Sequence, residues 1–238
     1  MPEGHVGVVL AHGAWADGSS WAKVIAGLRS AGVKAVAAPL PLSSLADDVA
    51  ALGRTLERVE DPVVVAGHAY AGAVIAAASH EKVASLVYVT ALAPDEGETV
   101  SDVFYRAQPH PQAPALAPDR HGLIWLPEEA FATAFAQHAT PLEQALLAAT
   151  QRPLAVDGIG VPVPCPAWKE RPSWFLVAEE DRMIPAPTQR FMAERMKARV
   201  RTAPADHVPM LTAPAAVVDI VLEAVHAADR KERGNCYD

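Results

Sequence analysis

The chain has 238 residues, 51% hydrophobic and 20% charged, with a formal net charge of −8. That composition fits one globular domain, or one with an insertion, able to bury roughly three quarters of its unfolded surface without disulfide or metal staples. The acidic balance and the lack of a basic stripe exclude a nucleic-acid-binding role and disfavour anionic membranes. Cys165 and Cys236 belong to no CxxC pair or Cys/His cluster, so no zinc site is expected and both are read as ordinary thiols. The N-terminus has no cationic segment leading into an apolar one. No run approaches the ~18 apolar residues of a membrane span, so a cytoplasmic location is expected.

Residues 6–10 form a short apolar run ending at His12-Gly13, the pattern of a buried strand entering a loop. Trp21, Val24, Ile25 and Leu28 then share one helical face, and Gly32 is placed to end that helix in a left-handed cap. Residues 33–38 read as a second strand, stopped by Pro39 and Pro41. Ser43 or Ser44 caps a helix carrying Leu45, Val49, Leu52 and Leu56 at helical spacing. Residues 63–66 are a third strand that runs directly into Gly67 and a helix of small residues, 70–79. Residues 85–90 are a fourth strand. Short strands alternating with longer helices predict βαβ units and a parallel sheet.

The pattern changes near Pro94. Residues 94–172 are rich in proline, contain no obvious buried strand and show helical stretches near 128–137 and 141–150. Alternation resumes with a strand at 173–178, a helix at 187–198, a strand at 200–203 and a helix at 214–227 that opens on proline. The organisation expected is an α/β core of residues 1–93 and 173–228, a cap insertion of residues 94–172, and a frayed polar tail over 229–238.

Four short segments are candidates for chemistry. Gly67-His68-Ala69-Tyr70-Ala71-Gly72 joins an apolar strand to a small-residue helix, where a nucleophile elbow would stand. Such a turn needs small neighbours because it brings two backbones together, and Gly67, Ala71 and Gly72 supply them. A turn without catalytic meaning is the plainer alternative, because Ala69 offers no nucleophilic atom. His12-Gly13-Ala14-Trp15 follows the first strand, and the N–H groups of Ala14 and Tyr70 could pair as an oxyanion hole. Asp181, in an acidic loop after a strand, could fix the tautomer of a histidine, and Asp95 is a fallback. His207 comes last. Nucleophile position, acid and histidine then fall in the chain order of an α/β-hydrolase.

On these segments the sequence resembles the α/β-hydrolase superfamily, and more narrowly its small-molecule branch of methylesterases, hydroxynitrile lyases and esterase-like proteins. The resemblance rests on Val9-Leu10-Ala11-His12-Gly13-Ala14-Trp15, Val65-Ala66-Gly67-His68-Ala69-Tyr70, Asp181-Arg182-Met183-Ile184-Pro185 and Asp206-His207. It implies an α/β-hydrolase fold, a mostly parallel sheet flanked by helices with a helical cap. It assigns His207 as base, Asp181 as acid, Ala69 as the nucleophile position, and Ala14 and Tyr70 as oxyanion donors. Trp15, His68, Trp125 and Met183 are the expected substrate contacts. Similar proteins read Gly-His-Ser-Tyr-Gly-Gly at the elbow, so this chain departs at Ala69 and at Ala71.

Two accounts of Ala69 are open, an engineered replacement of serine and a native alanine, and the second departure at Ala71 favours the native one. The function expected is esterase-like hydrolysis of a small, largely apolar ester or related carbonyl compound. The alternatives are a serine-free His/Asp catalyst, lyase-like or activating water directly, and a ligand-binding protein without chemistry. The spacing gives no phosphate loop, dinucleotide fingerprint or metal motif, so no cofactor and no metal are expected. The partners expected are a small-molecule substrate and, at most, a second copy of the chain in a homodimer.

Overall fold

The structure is a computed structural model that describes residues 6–60 and 62–235. Its frame is a six-stranded parallel sheet in the order β2-β1-β3-β4-β7-β8. The strands are β1 (Gly7–Ala11), β2 (Ala35–Ala38), β3 (Val63–His68), β4 (Val83–Val89), β7 (Ser173–Ala178) and β8 (Arg199–Ala203). Strands β1, β3 and β7 are buried at every position. Their apolar runs do not alternate, because helices cover both faces of the sheet. The edge strand β8 is exposed at its first four positions and alternates arginine with apolar and hydroxyl residues, whereas the other edge, β2, is a short alanine-rich strand that is only partly buried.

Helices α1 (Ala22–Ser30) and α9 (Pro214–Asn235) pack on each other, and α9 lies against β3, β4 and β7. Helices α2 (Leu45–Glu57) and α3 (Ala71–Ala77) form a second group against β1 and β3. Gly32 ends α1 at φ +79°, and Val33 N–H reaches back to the Leu28 carbonyl at 2.9 Å, the left-handed stop expected of that glycine. Of the two serines offered as caps, Ser44 is the one whose side chain accepts from Asp47 N–H. Helix α9 continues to Asn235, so residues 229–235 are helical rather than a tail. The charged residues there are good helix formers and prolong a helix already docked on the sheet. Cys236 and the rest of the tail lie outside the described residues.

Residues 94–172 add no strand to the sheet. They hold α4 (Val100–Phe104), a two-residue ribbon of β5 (Leu123–Ile124) and β6 (Leu154–Ala155), and α5 (Glu128–Ala130), which runs into a π-helical turn over Phe131–Phe135. Helix α6 (Pro141–Thr150) follows. After β7 come α7 (Ala186–Arg195) and α8 (Pro209–Thr212). Of the aromatic residues in this insertion, Phe131, Phe135 and Trp168 are buried, whereas Tyr105 and Trp125 are about half exposed.

The insertion is tied to the core by hydrogen bonds. Trp168 Nε1 donates to the Pro94 carbonyl at 3.1 Å, and Gln137 donates to the Glu180 carbonyl at 2.7 Å. Glu143 completes a capping box with Thr140 and also accepts from Lys23 Nζ on α1 at 3.0 Å. The Thr140 N–H first, and then Lys23, pull the Glu143 carboxyl down from 4.5 to about 2. A carboxyl depressed on folding stabilises above its unfolded value and loses that contribution as pH falls through the folded one. Glu143→Gln should therefore lower stability at neutral pH by up to about 1 kcal/mol, the scale of an exposed ion pair. Urea unfolding across a pH series should show that difference shrinking from pH 4.5 towards 2.

Candidate active site

The C-terminal ends of β1, β3, β7 and β8 deliver the candidate residues to one place, as parallel sheets do. Ala69 follows β3 directly and adopts φ +48°, the left-handed conformation that costs a residue with a β-carbon roughly 1–2 kcal/mol. Its carbonyl accepts from Gly72 N–H and Leu92 N–H, both at 3.0 Å. The glycines around it are there for space. A β-carbon on Gly72 would lie 2.2 Å from the Leu92 carbonyl oxygen, and one on Gly67 would lie 2.8 Å from that of Ala71. One on Gly13 would lie 2.8 Å from the His68 ring and 3.0 Å from the Ala69 methyl. The loop after β1 therefore rests directly on the elbow.

His207 and Asp181 form a buried pair, with His207 Nδ1 2.9 Å from Asp181 Oδ2. The carboxylate is held in place by further donors. Its Oδ1 accepts from the Met183 and Ile184 N–H groups at 2.8 and 2.9 Å, and its Oδ2 from Gln189 Nε2 at 3.0 Å. Since a carboxylate only accepts, Nδ1 of His207 carries the proton and Nε2 is left as the basic nitrogen. His207 and Ala69 line the same pocket, together with Ala14, Trp15, Tyr70 and Met183. Among the described residues, no backbone hydrogen bond outside the helices and strands pairs the Ala14 or the Tyr70 N–H.

Tyr70 is anchored from behind. Its phenol donates to Asp48 Oδ2 at 2.7 Å, and Asp48 Oδ1 accepts from Leu42 N–H at 2.7 Å. Burial raises the Asp48 carboxyl above the ordinary range, with the Tyr70 bond acting against that shift. The Tyr70 phenol is raised by its own burial and by Asp48 beside it. Trp15, at φ +58°, donates from Nε1 to the Ile124 carbonyl at 3.0 Å and so ties the loop after β1 to the cap.

The structure brings together Ala14, Trp15, Ala69, Tyr70, Met183 and His207 around the pocket, with Asp181 behind His207. It places His68 and Trp125 elsewhere. The His68 ring turns back beneath the elbow and packs against Gly13. The half-exposed Trp125 indole donates outward to Asp119 at 3.2 Å. Asp95 is paired with Lys169 at 2.8 Å, and Asp206 accepts from His138 N–H, Val208 N–H and Thr212 Oγ1. Sequence reasoning missed Gln189, the clamp on Asp181. A glutamine in the helix after the acid loop was the available signal, but nothing local distinguishes it from a solvated side chain. The Phe135 ring, whose centroid is 5.1 Å from that of His207, was also missed, because it arrives on an irregular turn.

Residues 8–220 match a protein-family model described as the alpha/beta hydrolase family. No curated protein matches the chain at a significant level. Among solved structures, a pyrethroid hydrolase from Sphingobium faniae JZ-2 is 22% identical with a TM-score of 0.79, covering 93% of this chain and 98% of its own. Polyneuridine aldehyde esterase is 19% identical with a TM-score of 0.76, covering 92% and 98%. A histidine-to-alanine variant of tomato methylketone synthase I, complexed with beta-ketoheptanoate, is 20% identical with a TM-score of 0.79, covering 93% and 98%. These likenesses show a shared fold.

The packing at the elbow gives a direct test. Gly72→Ala should destabilise the chain by about 1–3 kcal/mol, because the added methyl meets backbone rather than a side chain that could move aside. Urea unfolding at 25 °C measures it.

Proposed function

Because this chain belongs to the alpha/beta hydrolase family, we propose that it is an esterase-type enzyme for a small, neutral, largely apolar ester or related carbonyl compound, with no covalent intermediate at position 69. The observation that carries this reading is the oriented His207–Asp181 pair facing the pocket that Ala69 lines. No Lys, Arg, Asp or Glu is among the residues lining that pocket, and the lining is almost wholly apolar. A charged ligand would lose its water there without gaining a fixed partner, so a neutral one is favoured.

The Ala69 methyl leaves room for a water where an elbow hydroxyl would project. His207 Nε2 takes a proton from that water as its oxygen bonds to the carbonyl carbon. The carbonyl oxygen becomes an oxyanion held by the Ala14 and Tyr70 N–H groups. Collapse of the tetrahedral intermediate breaks the ester C–O bond, and the leaving alkoxide takes the proton back from Nε2. Asp181 holds the imidazole in its tautomer and stabilises the imidazolium while the proton is there.

A second reading is favoured by the likeness to tomato methylketone synthase I, solved with beta-ketoheptanoate. Loss of carbon dioxide from a β-keto acid needs an oxyanion hole for the enolate and a proton returned to carbon, but no nucleophile. The same donors and His207 would serve. The lack of a cation in the pocket lining weighs against a carboxylate substrate, so the ester reading stands first.

Short-chain chromogenic esters test it. The unaltered chain should turn over linearly without a burst, and His207→Ala should abolish the activity. Ala69→Ser should introduce an acyl-enzyme burst and raise kcat by about 10⁴-fold or more, the scale on which a missing triad member lowers it. Turnover that survives His207→Ala would overturn the proposal. Silence on esters with turnover of a β-keto acid selects the second reading, and binding without turnover of either leaves a ligand-binding protein.

A further inference from the structure

His207 stands on the loop between β8 and α8, where no sheet hydrogen bond fixes it. Its ring is fixed at Nδ1 by Asp181, yet the direction of Nε2 also depends on where the main chain of residue 207 lies. That main chain has its own anchor. The His207 carbonyl oxygen accepts from His68 Nε2 at 2.7 Å and from Thr90 Oγ1 at 3.2 Å. We infer that His68 and Thr90 are positioning residues, which set the placement of His207 by holding its main-chain carbonyl from the ends of β3 and β4. The inference rests on the proposed role of His207 as base.

Several observations support it. His68 ends β3 opposite Val89 of β4, and Thr90 follows that residue, so the two donors come from adjacent strand ends in the middle of the sheet. Both are buried, His68 at 1% and Thr90 at 0% exposure. A carbonyl only accepts, so His68 carries its proton on Nε2, and its buried Nδ1 has no hydrogen-bond partner among the described residues. Burial, then the neighbouring His207, hold His68 well below the ordinary histidine range. The ring is therefore a neutral donor and does not compete with His207 for a proton. Its centroid is 4.9 Å from that of His207, close enough to limit the tilt of the base. His68 does not line the pocket shared by Ala69 and His207, so it acts on substrate only through His207. Thr90 is held at φ +42°, a conformation that β-branched residues rarely adopt, and its hydroxyl meets the same carbonyl.

The test uses the full chain and two readouts. One is the low-field proton resonance of His207 Nδ1–H in its hydrogen bond to Asp181, identified by its loss in Asp181→Asn. The other is the split of kcat and KM on the ester substrate. His68→Leu removes the donor. It should broaden or abolish the resonance and lower kcat on the order of 10- to 100-fold, the scale of a misplaced catalytic group, with KM unchanged. His68→Gln keeps an N–H near the ε position and should restore the resonance and kcat to within about threefold, because the hydrogen bond is kept. Thr90→Val removes the second donor at constant shape and should shift the resonance in the same direction.

A folded His68→Leu chain with the parent's resonance and kcat overturns the proposal. If that variant does not fold, an unchanged resonance in Thr90→Val overturns it instead. The two readings fail separately. A parent chain that shows the resonance but turns nothing over overturns the catalytic assignment alone, because the resonance reads geometry without chemistry.

Discussion

The left-handed turn at Ala69 is the constraint on which the rest of this structure depends. A residue with a β-carbon at φ +48° is strained by about 1–2 kcal/mol and persists only where its surroundings over-determine it. Here they do. The Ala69 carbonyl is bound by Leu92 and Gly72, and glycines at 13, 67 and 72 admit backbones or rings that any side chain would push away. The turn lifts residue 69 off the sheet, leaves the Tyr70 N–H without a backbone acceptor among the described residues, and brings the loop after β1 down beside it. The direction of the Tyr70 N–H, the pocket wall at residue 69 and the contact with the loop after β1 all follow from that one conformation.

Around the turn the carboxylates Asp181 and Asp48 are paired in buried sets, each fixing a different part of the site. Asp181 is held by two backbone N–H groups and Gln189, and it fixes the His207 tautomer. Asp48 fixes the Tyr70 ring and, through Leu42 N–H, the loop beneath the cap. In a medium of low polarity an unpaired member of such a set is costly, so each set holds its geometry stiffly. The pocket lined by Ala69 and His207 lacks such pairs. Its lining is apolar apart from His207 and a few hydroxyls, which leaves the imidazole as the main polar group facing that space. The insertion of residues 94–172 packs beside the pocket, with Phe135 against His207 and Trp15 hydrogen-bonded to the Ile124 carbonyl.

Much of this was legible in the sequence. The central strands announce themselves as unbroken apolar runs because helices cover them on both faces. The elbow shows as glycine and alanine between a strand and a small-residue helix. The order of residues 69, 181 and 207 then suggests one site, and the fold sets Ala69 and His207 on one pocket with Asp181 behind the histidine. The helix over residues 141–150 was legible too, because Thr140, Pro141 and Glu143 form a complete start signal.

What the sequence determined is therefore whatever rests on local pattern: strand and helix order, the turn at 69, and the residue types able to act as acid and base. The tertiary structure alone decided where side chains aim. His68 stands beside the elbow in sequence yet turns under it to meet the His207 carbonyl, and Trp125 faces outward to Asp119. Gln189, Thr90 and Phe135 reach the site from a helix, a strand end and a π-helical turn far apart in the chain. The direction of a side chain at the end of an element is set by the neighbours that pack against it, and those neighbours are chosen by the fold rather than by adjacent residues.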